Sequence, residues 1–219
     1  MDEDSHSVSD ILDSMDISED SMDVLATIIN DAPAPKKTKT NIFEEKKHQH
    51  WKEKTDLARC DFKHIWRITP RGGVLFISIW QKSIMGKLLT EIKEDDNMIP
   101  RFANEVSDAV IKVIGSNLHN GDWALITAPR RRHIERNFAT LVCLRMADIL
   151  NIPFYEDILH CKSKHRVGAV FTLSEIPKEC NIVVFDDIVT TGSTLGSIKE
   201  AFKDLGKNLV FFAGINNKL

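Results

Sequence analysis

From residue 62 onward the apolar residues of this chain fall into short runs separated by stretches of helical period. Ile182-Val183-Val184-Phe185 is an unbroken, β-branched run, the pattern of a strand buried on both faces, and Asp186 and Asp187 stand at its carboxyl end. Leu195, Ile198, Phe202 and Leu205 follow at i, i+3, i+7 and i+10, which predicts a helix with Gly206 as its stop. Ile65, Arg67 and Thr69 alternate against Trp66 and Ile68. After Arg71-Gly72-Gly73 comes the run Val74 to Trp80, and the two runs together predict a β-hairpin. Pro100 opens a helix with Phe102, Val106, Val110, Ile111 and Ile114 on its buried face. A strand from Trp123 to Thr127, a helix from Asn137 to Leu150, and short strands at Phe154-Tyr155, Ala169 to Leu173 and Leu209 to Ala213 complete the pattern. Such alternation predicts an α/β fold, a mostly parallel sheet flanked by helices with right-handed crossovers.

The first 35 residues differ in kind. Residues 1–31 hold ten Asp or Glu and no Lys or Arg. A net charge of −3 for the whole chain therefore leaves about +7 on the remainder. This acidic, Ser-rich stretch, without aromatic residues, cannot bury enough surface to offset its ordering entropy, so residues 1–35 are expected to form a disordered tail. Within it Ile11-Leu12 with Met15, and Val24-Leu25 with Ile28-Ile29, have the spacing of short amphipathic helices suited to a protein partner or to self-association; a chance pattern in a disordered arm is the competing reading. A Lys-rich linker, residues 36–60, follows Pro33 and Pro35, and residues 61–219 are read as one domain. The basic body suits a polyanion, either a sugar phosphate or nucleic acid, or is ordinary surface charge.

No apolar run approaches the roughly 18 residues of a membrane span, and the start carries acids where a secretory leader carries bases, so a cytoplasmic protein without a membrane is expected. Cys60, Cys143, Cys161 and Cys180 form no C-x-x-C pair, which argues against a zinc ribbon and a disulfide framework. His48, His50, Cys60 and His64 match no common zinc spacing.

The acid pair and the residues after it carry the chemistry of a ribose-phosphate cradle. Thr190, Thr191, Ser193 and Thr194 offer hydroxyls, Gly192 permits a positive φ and close backbone approach, and a helix starting there aims its positive end at an anion. An apolar strand ending in Asp-Asp also fits a nucleotide-hydrolysing P-loop protein, but that needs a G-x-x-x-x-G-K-[ST], and the Gly-Lys pairs at 86–87 and 206–207 are followed by Leu88 and Asn208.

The stretch Ile182 to Thr194 resembles the PRPP-binding motif of type I phosphoribosyltransferases. The resemblance implies that Asp186 and Asp187 meet the ribose hydroxyls, with Mg2+ nearby directly or through water or those hydroxyls. It gives Val189, Thr190, Thr191, Gly192, Ser193 and Thr194 the 5-phosphate. It also implies a pyrophosphate loop at Ala128 to Arg132, with Pro129, Arg130 and Arg131 as contacts, and a closing loop with Lys164 or Arg166 among Lys162 to Arg166. For both basic loops a solvated surface turn is the competing reading. In order and spacing, residues 123–215 are similar to ComF-like proteins of DNA uptake, although the four-cysteine zinc ribbon of that family is missing.

The short stretch after Phe211-Phe212-Ala213 leaves Trp66, Phe76 and Trp80 as the aromatics available to stack on a base, unless they pack the hairpin on the core. Two functions stay open. One is an enzyme using PRPP and Mg2+ to transfer phosphoribose to a nitrogen nucleophile with release of pyrophosphate. The other is a non-catalytic ComF-like protein of DNA handling that keeps the nucleotide cradle.

Overall fold

A six-stranded sheet, five of whose strands run parallel, organises the molecule. The structure, a computed structural model, describes residues 57–120, 122–129, 137–161 and 170–218, all within the unit Gln49–Leu219. The acidic tail, most of the linker, and Arg130, Arg131, Lys164 and Arg166 lie outside the described residues.

In chain order the strands are β1 (Arg59–Cys60), β2 (His64–Arg71), β3 (Val74–Gln81), β4 (Lys87–Leu88), β5 (Trp123–Thr127), β6 (Phe154–Tyr155), β7 (Leu159–Cys161), β8 (Phe171–Leu173), β9 (Asn181–Val189) and β10 (Asn208–Asn216). The helices are α1 (Leu89–Glu94), α2 (Met98–Ile114), α3 (Phe138–Leu150) and α4 (Ser193–Ala201), with a 3₁₀ segment at Gly115–Asn120. The main sheet has the order β2-β3-β10-β9-β5-β6; β2 pairs antiparallel with β3, and every other pair is parallel. The expected α/β class and the hairpin are both present.

The pleat of these strands divides the core in two. On β9, Val183 and Phe185 face a cluster with Phe102, Val106 and Val110 of α2 and Phe138, Val142 and Met146 of α3. Ile182 and Val184 face the other side, where Leu195 and Ile198 of α4, Phe202, and Phe171 of β8 cover the sheet. Residues 182–185 are fully buried, which is why that strand reads as a continuous apolar run and not as an alternation.

Several boundaries differ from the sequence expectation. β9 runs past the acid pair to Val189, because β10 stays in register alongside it as far as Asn216↔Val189; β10 is correspondingly longer than Leu209 to Ala213. α4 stops at Ala201, since the following turns close by shorter bonds, Lys203 N–H to the Glu200 carbonyl and Leu205 N–H to the Phe202 carbonyl, which still carry Phe202 into the core. Gly206 is the left-handed stop (φ 63°). On α2, Ile111 is 42% exposed; Ala103, Ser107 and Ala109 share the buried face instead. A bulge between His64 and Arg67 interrupts the hairpin, so Trp66 leans on the core while Ile68 is exposed. Phe76 and Trp80 are buried in the two core clusters and cannot stack on a base. Strands β1, β4 and β7 and helix α1 had no sequence expectation. β8 begins at Phe171 where it pairs antiparallel with β7, in a separate two-stranded sheet.

Cys60, Cys143 and Cys180 are free thiols, and burial pushes Cys60 up to about 11. Among the described residues no helix is long and apolar enough to cross a membrane.

Phe102 joins the layers: its ring centroid lies 4.7 Å from that of Trp80 and 5.0 Å from that of Phe138. Its edge also fills the space left by the missing side chain of Gly214 in β10. Phe102→Ala is expected to lower stability by about 3–5 kcal/mol, read as a reduced urea midpoint with unchanged slope.

Candidate functional site

The carboxyl ends of β9 and β5 form one edge of the main sheet, and register fixes which residues meet there. Thr127 pairs with Phe185, and the Ala128 N–H donates to the Phe185 carbonyl at 2.9 Å, so the loop that starts at Ala128-Pro129 leaves the sheet beside Asp186. Carboxyl ends of parallel strands are the usual place for ligands in an open α/β sheet.

The two aspartates have unlike surroundings. Alternation along β9 leaves Asp186 half-buried and sends Asp187 toward the α2–α3 side, where its side chain is only 11% exposed. There Asp187 Oδ2 lies 2.7 Å from Nζ of Lys93. Lys93 stands on α1, a short helix held to the core by the buried Leu89 and Ile92, with the Leu88 N–H capped by Glu91 Oε2 at 3.1 Å. Burial works against the Lys93 charge, but attraction to Asp187 and the hydrogen bond Lys93 donates to it, with further attraction to Asp186, outweigh it and hold the ammonium above the ordinary lysine value. Behind the pair, burial raises the Cys143 thiol well above its usual range, against the lowering effect of its hydrogen bond with Thr127; both aspartates add to the rise. Cys143 is therefore a neutral wall of the site.

The loop after β9 turns at Gly192 (φ 75°, ψ 0°), which is also the residue before α4. Thr191 and Ser193 hydroxyls lie 3.0 Å apart, and the Ser193 N–H donates to Thr191 Oγ1 at 3.3 Å. Val189 belongs to the strand and its side chain is buried; its carbonyl accepts the Asn217 N–H at 2.9 Å. Asn217 Nδ2 donates to the Thr190 hydroxyl oxygen at 3.5 Å. Asn216 and Asn217, at and just past the end of β10, are buried, and their side-chain carbonyl oxygens have no hydrogen-bond partner among the described residues.

The hairpin turn between β2 and β3 presses on this loop from the other side. A Cβ on Gly72 would overlap the Gly192 carbonyl, one on Gly196 would overlap the Gly72 carbonyl, and one on Gly192 would stand 2.8 Å from the Arg71 oxygen. Arg71 Nη1 donates to the Thr190 carbonyl at 2.7 Å, and Lys199 Nζ donates to the Gly73 carbonyl at 3.1 Å. The loop is thus fixed by contacts at backbone distance.

The structure brings Asp186, Asp187, Pro129 and the residues from Val189 to Thr194 to one edge of the sheet. Arg130 and Arg131 follow Pro129 outside the described residues, and Lys164 and Arg166 lie in the undescribed connection between β7 and β8. Asn137, expected as the first residue of its helix, stands just before it, accepts the Ala139 N–H at 3.1 Å and caps α3. Sequence reasoning missed Lys93, Arg71 and Gly196. Gly196, a glycine inside an otherwise ordinary helical pattern, was a readable sign of close backbone approach; Lys93 carried no such sign.

No model of a known family matches the chain, and no curated protein matches it. Among solved structures it is similar to adenine phosphoribosyltransferase from Saccharomyces cerevisiae, complexed with D-2,5-dideoxy-2,5-imino-altritol 1,6-bisphosphate and adenine (17% identical, covering 71% of this chain and 86% of that one, TM-score 0.41). It is also similar to adenine phosphoribosyl transferase from Trypanosoma brucei in complex with AMP, pyrophosphate and ribose-5-phosphate (12% identical, 76% and 78% covered, TM-score 0.41). A third likeness is to orotate phosphoribosyltransferase from Aeropyrum pernix (15% identical, 73% and 75% covered, TM-score 0.38). At these identities and scores the function of this chain rests on its own residues.

Two measurements check the geometry. Gly72 and Gly73 both have positive φ, but a Cβ on Gly73 meets nothing within 4 Å. Gly73→Ala should cost about 1–2 kcal/mol from its backbone conformation, and Gly72→Ala at least about 1 kcal/mol more from the overlap, both read by chemical denaturation. For the ion pair, a folded-state lysine value raised above the ordinary 10.5 means stability that is fully present below that value and lost as pH climbs through the folded one. The difference in unfolding midpoint between wild type and Lys93→Gln should therefore be flat through neutral pH and shrink only in strongly alkaline solution.

Proposed function

We propose that the edge formed by β9, the Thr190–Thr194 loop and the start of α4 binds a ribose 5-phosphate group, and that the protein is a phosphoribosyltransferase acting on PRPP. One observation carries the reading: an acid pair at the sheet edge is followed within five residues by a left-handed glycine that opens a nine-residue helix. Carboxylates accept hydrogen bonds from vicinal sugar hydroxyls, and a helix start with neighbouring Thr and Ser hydroxyls suits a phosphate dianion.

In the reaction, a nitrogen of the acceptor forms a bond to C1 of the ribose as the bond from C1 to the diphosphate oxygen breaks, and the electron pair leaves with pyrophosphate. Asp186 and Asp187 hold the 2′ and 3′ hydroxyls and favour the positive charge that develops on the sugar. The loop from Val189 to Thr194 anchors the 5-phosphate, Val189 through its backbone. Pro129 with Arg130 and Arg131 would flank the pyrophosphate, and Lys164 or Arg166 would close over it; these basic contacts rest on the sequence resemblance.

Mg2+ would supply charge neutralisation on the leaving diphosphate. Carboxylate oxygens suit such a hard cation, but among the described residues no group of three or more His, Cys, Asp or Glu gathers, and Lys93 already engages Asp187. The described residues do not make a resident metal centre. This favours Mg2+ entering as part of the substrate and meeting the acid pair through water or the sugar hydroxyls.

Calorimetric titration of the full chain with PRPP and Mg2+, followed by pyrophosphate release over a panel of bases, tests the proposal. Binding with turnover is expected. Asp186→Asn should weaken PRPP binding about tenfold or more with the thermal midpoint little changed. Unchanged affinity would refute the assignment, and binding without turnover on any base would make the cradle that of a non-catalytic protein.

A further inference from the structure

Two successive carboxylates at the end of a strand concentrate negative charge that ordinarily attracts cations, even where the pleat turns the side chains to opposite faces. In this chain the compensation is built in. Lys93 Nζ stands 2.7 Å from Asp187 Oδ2, and its charge is also attracted to Asp186. Asp187, with its side chain 11% exposed, has little water to replace that partner, whereas Lys93 is 40% exposed. The helix carrying it is held at both ends. Ile92, next to Lys93, is fully buried, and Lys87 just before α1 bonds Asp95 just after it at 2.5 Å. The ammonium is thereby delivered to the acid pair by a fixed element, not by a wandering surface side chain.

We propose that Lys93 is a positioning residue that occupies Asp187 in the ligand-free protein and keeps free divalent cations off the acid pair, reserving both carboxylates for the hydroxyls of the sugar. The role given to the sugar rests on the ribose-phosphate reading above; the exclusion of the cation does not. A divalent ion arriving alone would have to displace a contact ammonium from a nearly buried carboxylate, leaving that ammonium beside a second positive ion. An incoming sugar hydroxyl is neutral and needs only a free lone pair. The arrangement thus discriminates by charge between a free cation and the sugar.

Manganese, followed by the loss of the free-ion signal in electron paramagnetic resonance, tests this on the full chain with no sugar phosphate present. Wild type is expected to show no manganese site at the acid pair. Lys93→Met should gain one site, at least about tenfold tighter than any in wild type, and adding Asp186→Asn should remove it. Should Lys93→Met fail to fold, Lys93→Gln, which keeps an N–H donor for Asp187 without the charge, carries the same comparison, and Lys93→Arg should behave as wild type. Equal manganese binding by wild type and the neutral variants overturns the proposal, as does a manganese site in wild type that Asp186→Asn removes. A lysine with only a structural role would lower the thermal midpoint when replaced and leave manganese binding unmoved. PRPP calorimetry on wild type decides the ribose-phosphate reading separately, so either idea can fail while the other stands.

Discussion

The contact on which the site depends is the one between two glycine-bearing turns. Gly72, at the tip of the first hairpin, meets Gly192 and Gly196 at distances that admit no side chain on any of them. Through it the hairpin, an antiparallel addition to a parallel sheet, becomes the outer support of the loop that follows the acid pair. Arg71 on the Thr190 carbonyl and Lys199 on the Gly73 carbonyl fasten the same contact from both sides. From within, Asn217 ties the Val189 carbonyl to the end of β10. A loop proposed to present backbone N–H groups to an anion gains from being fixed before the anion arrives, since less ordering remains to be done on binding.

Electrostatics at the acid pair follow from the pleat. Successive residues of β9 point to opposite faces, so one aspartate stays half-open while its neighbour turns toward the helices. Turning a carboxylate inward is costly without a counter-charge, and Lys93 provides one at contact distance. Cys143 and Thr127 close the space behind it without adding a charge of their own.

The buried strands and the glycine turn were legible because each is dictated locally. Four consecutive apolar residues buried on both faces leave one interpretation for β9, and the positive φ of Gly192 is a property of that residue type. What could not be read depends on residues far apart in the chain. Lys93 meets Asp187 across 94 positions, a separation no local pattern reports. Arg71 looked like a hairpin turn residue and nothing more, because its partner, the Thr190 carbonyl, is 119 residues away. Strand and helix ends were missed for a related reason: β9 continues past the acid pair with β10 in register beside it, and on α2 Ile111 is exposed while Ala103, Ser107 and Ala109 are buried. The basic side chains at 130, 131, 164 and 166 fall outside the described residues, so the part of the site that would meet a pyrophosphate rests on sequence.

The order of the main sheet has a consequence for how the chain becomes a protein. β10 is the latest of the described strands to be synthesised, yet it lies between β3 and β9, bonded to both. Until residues 208–216 leave the ribosome, the hairpin side and the β9–β5–β6 side are two half-sheets with exposed inner edges, and the glycine turns have no frame to hold them together. Joining them is a late, long-range insertion, and such pairings are slow and leave unpaired edges open to other chains meanwhile. The loop after β9, complete at residue 194, is therefore without the strand that steadies it until residues 208–216 follow.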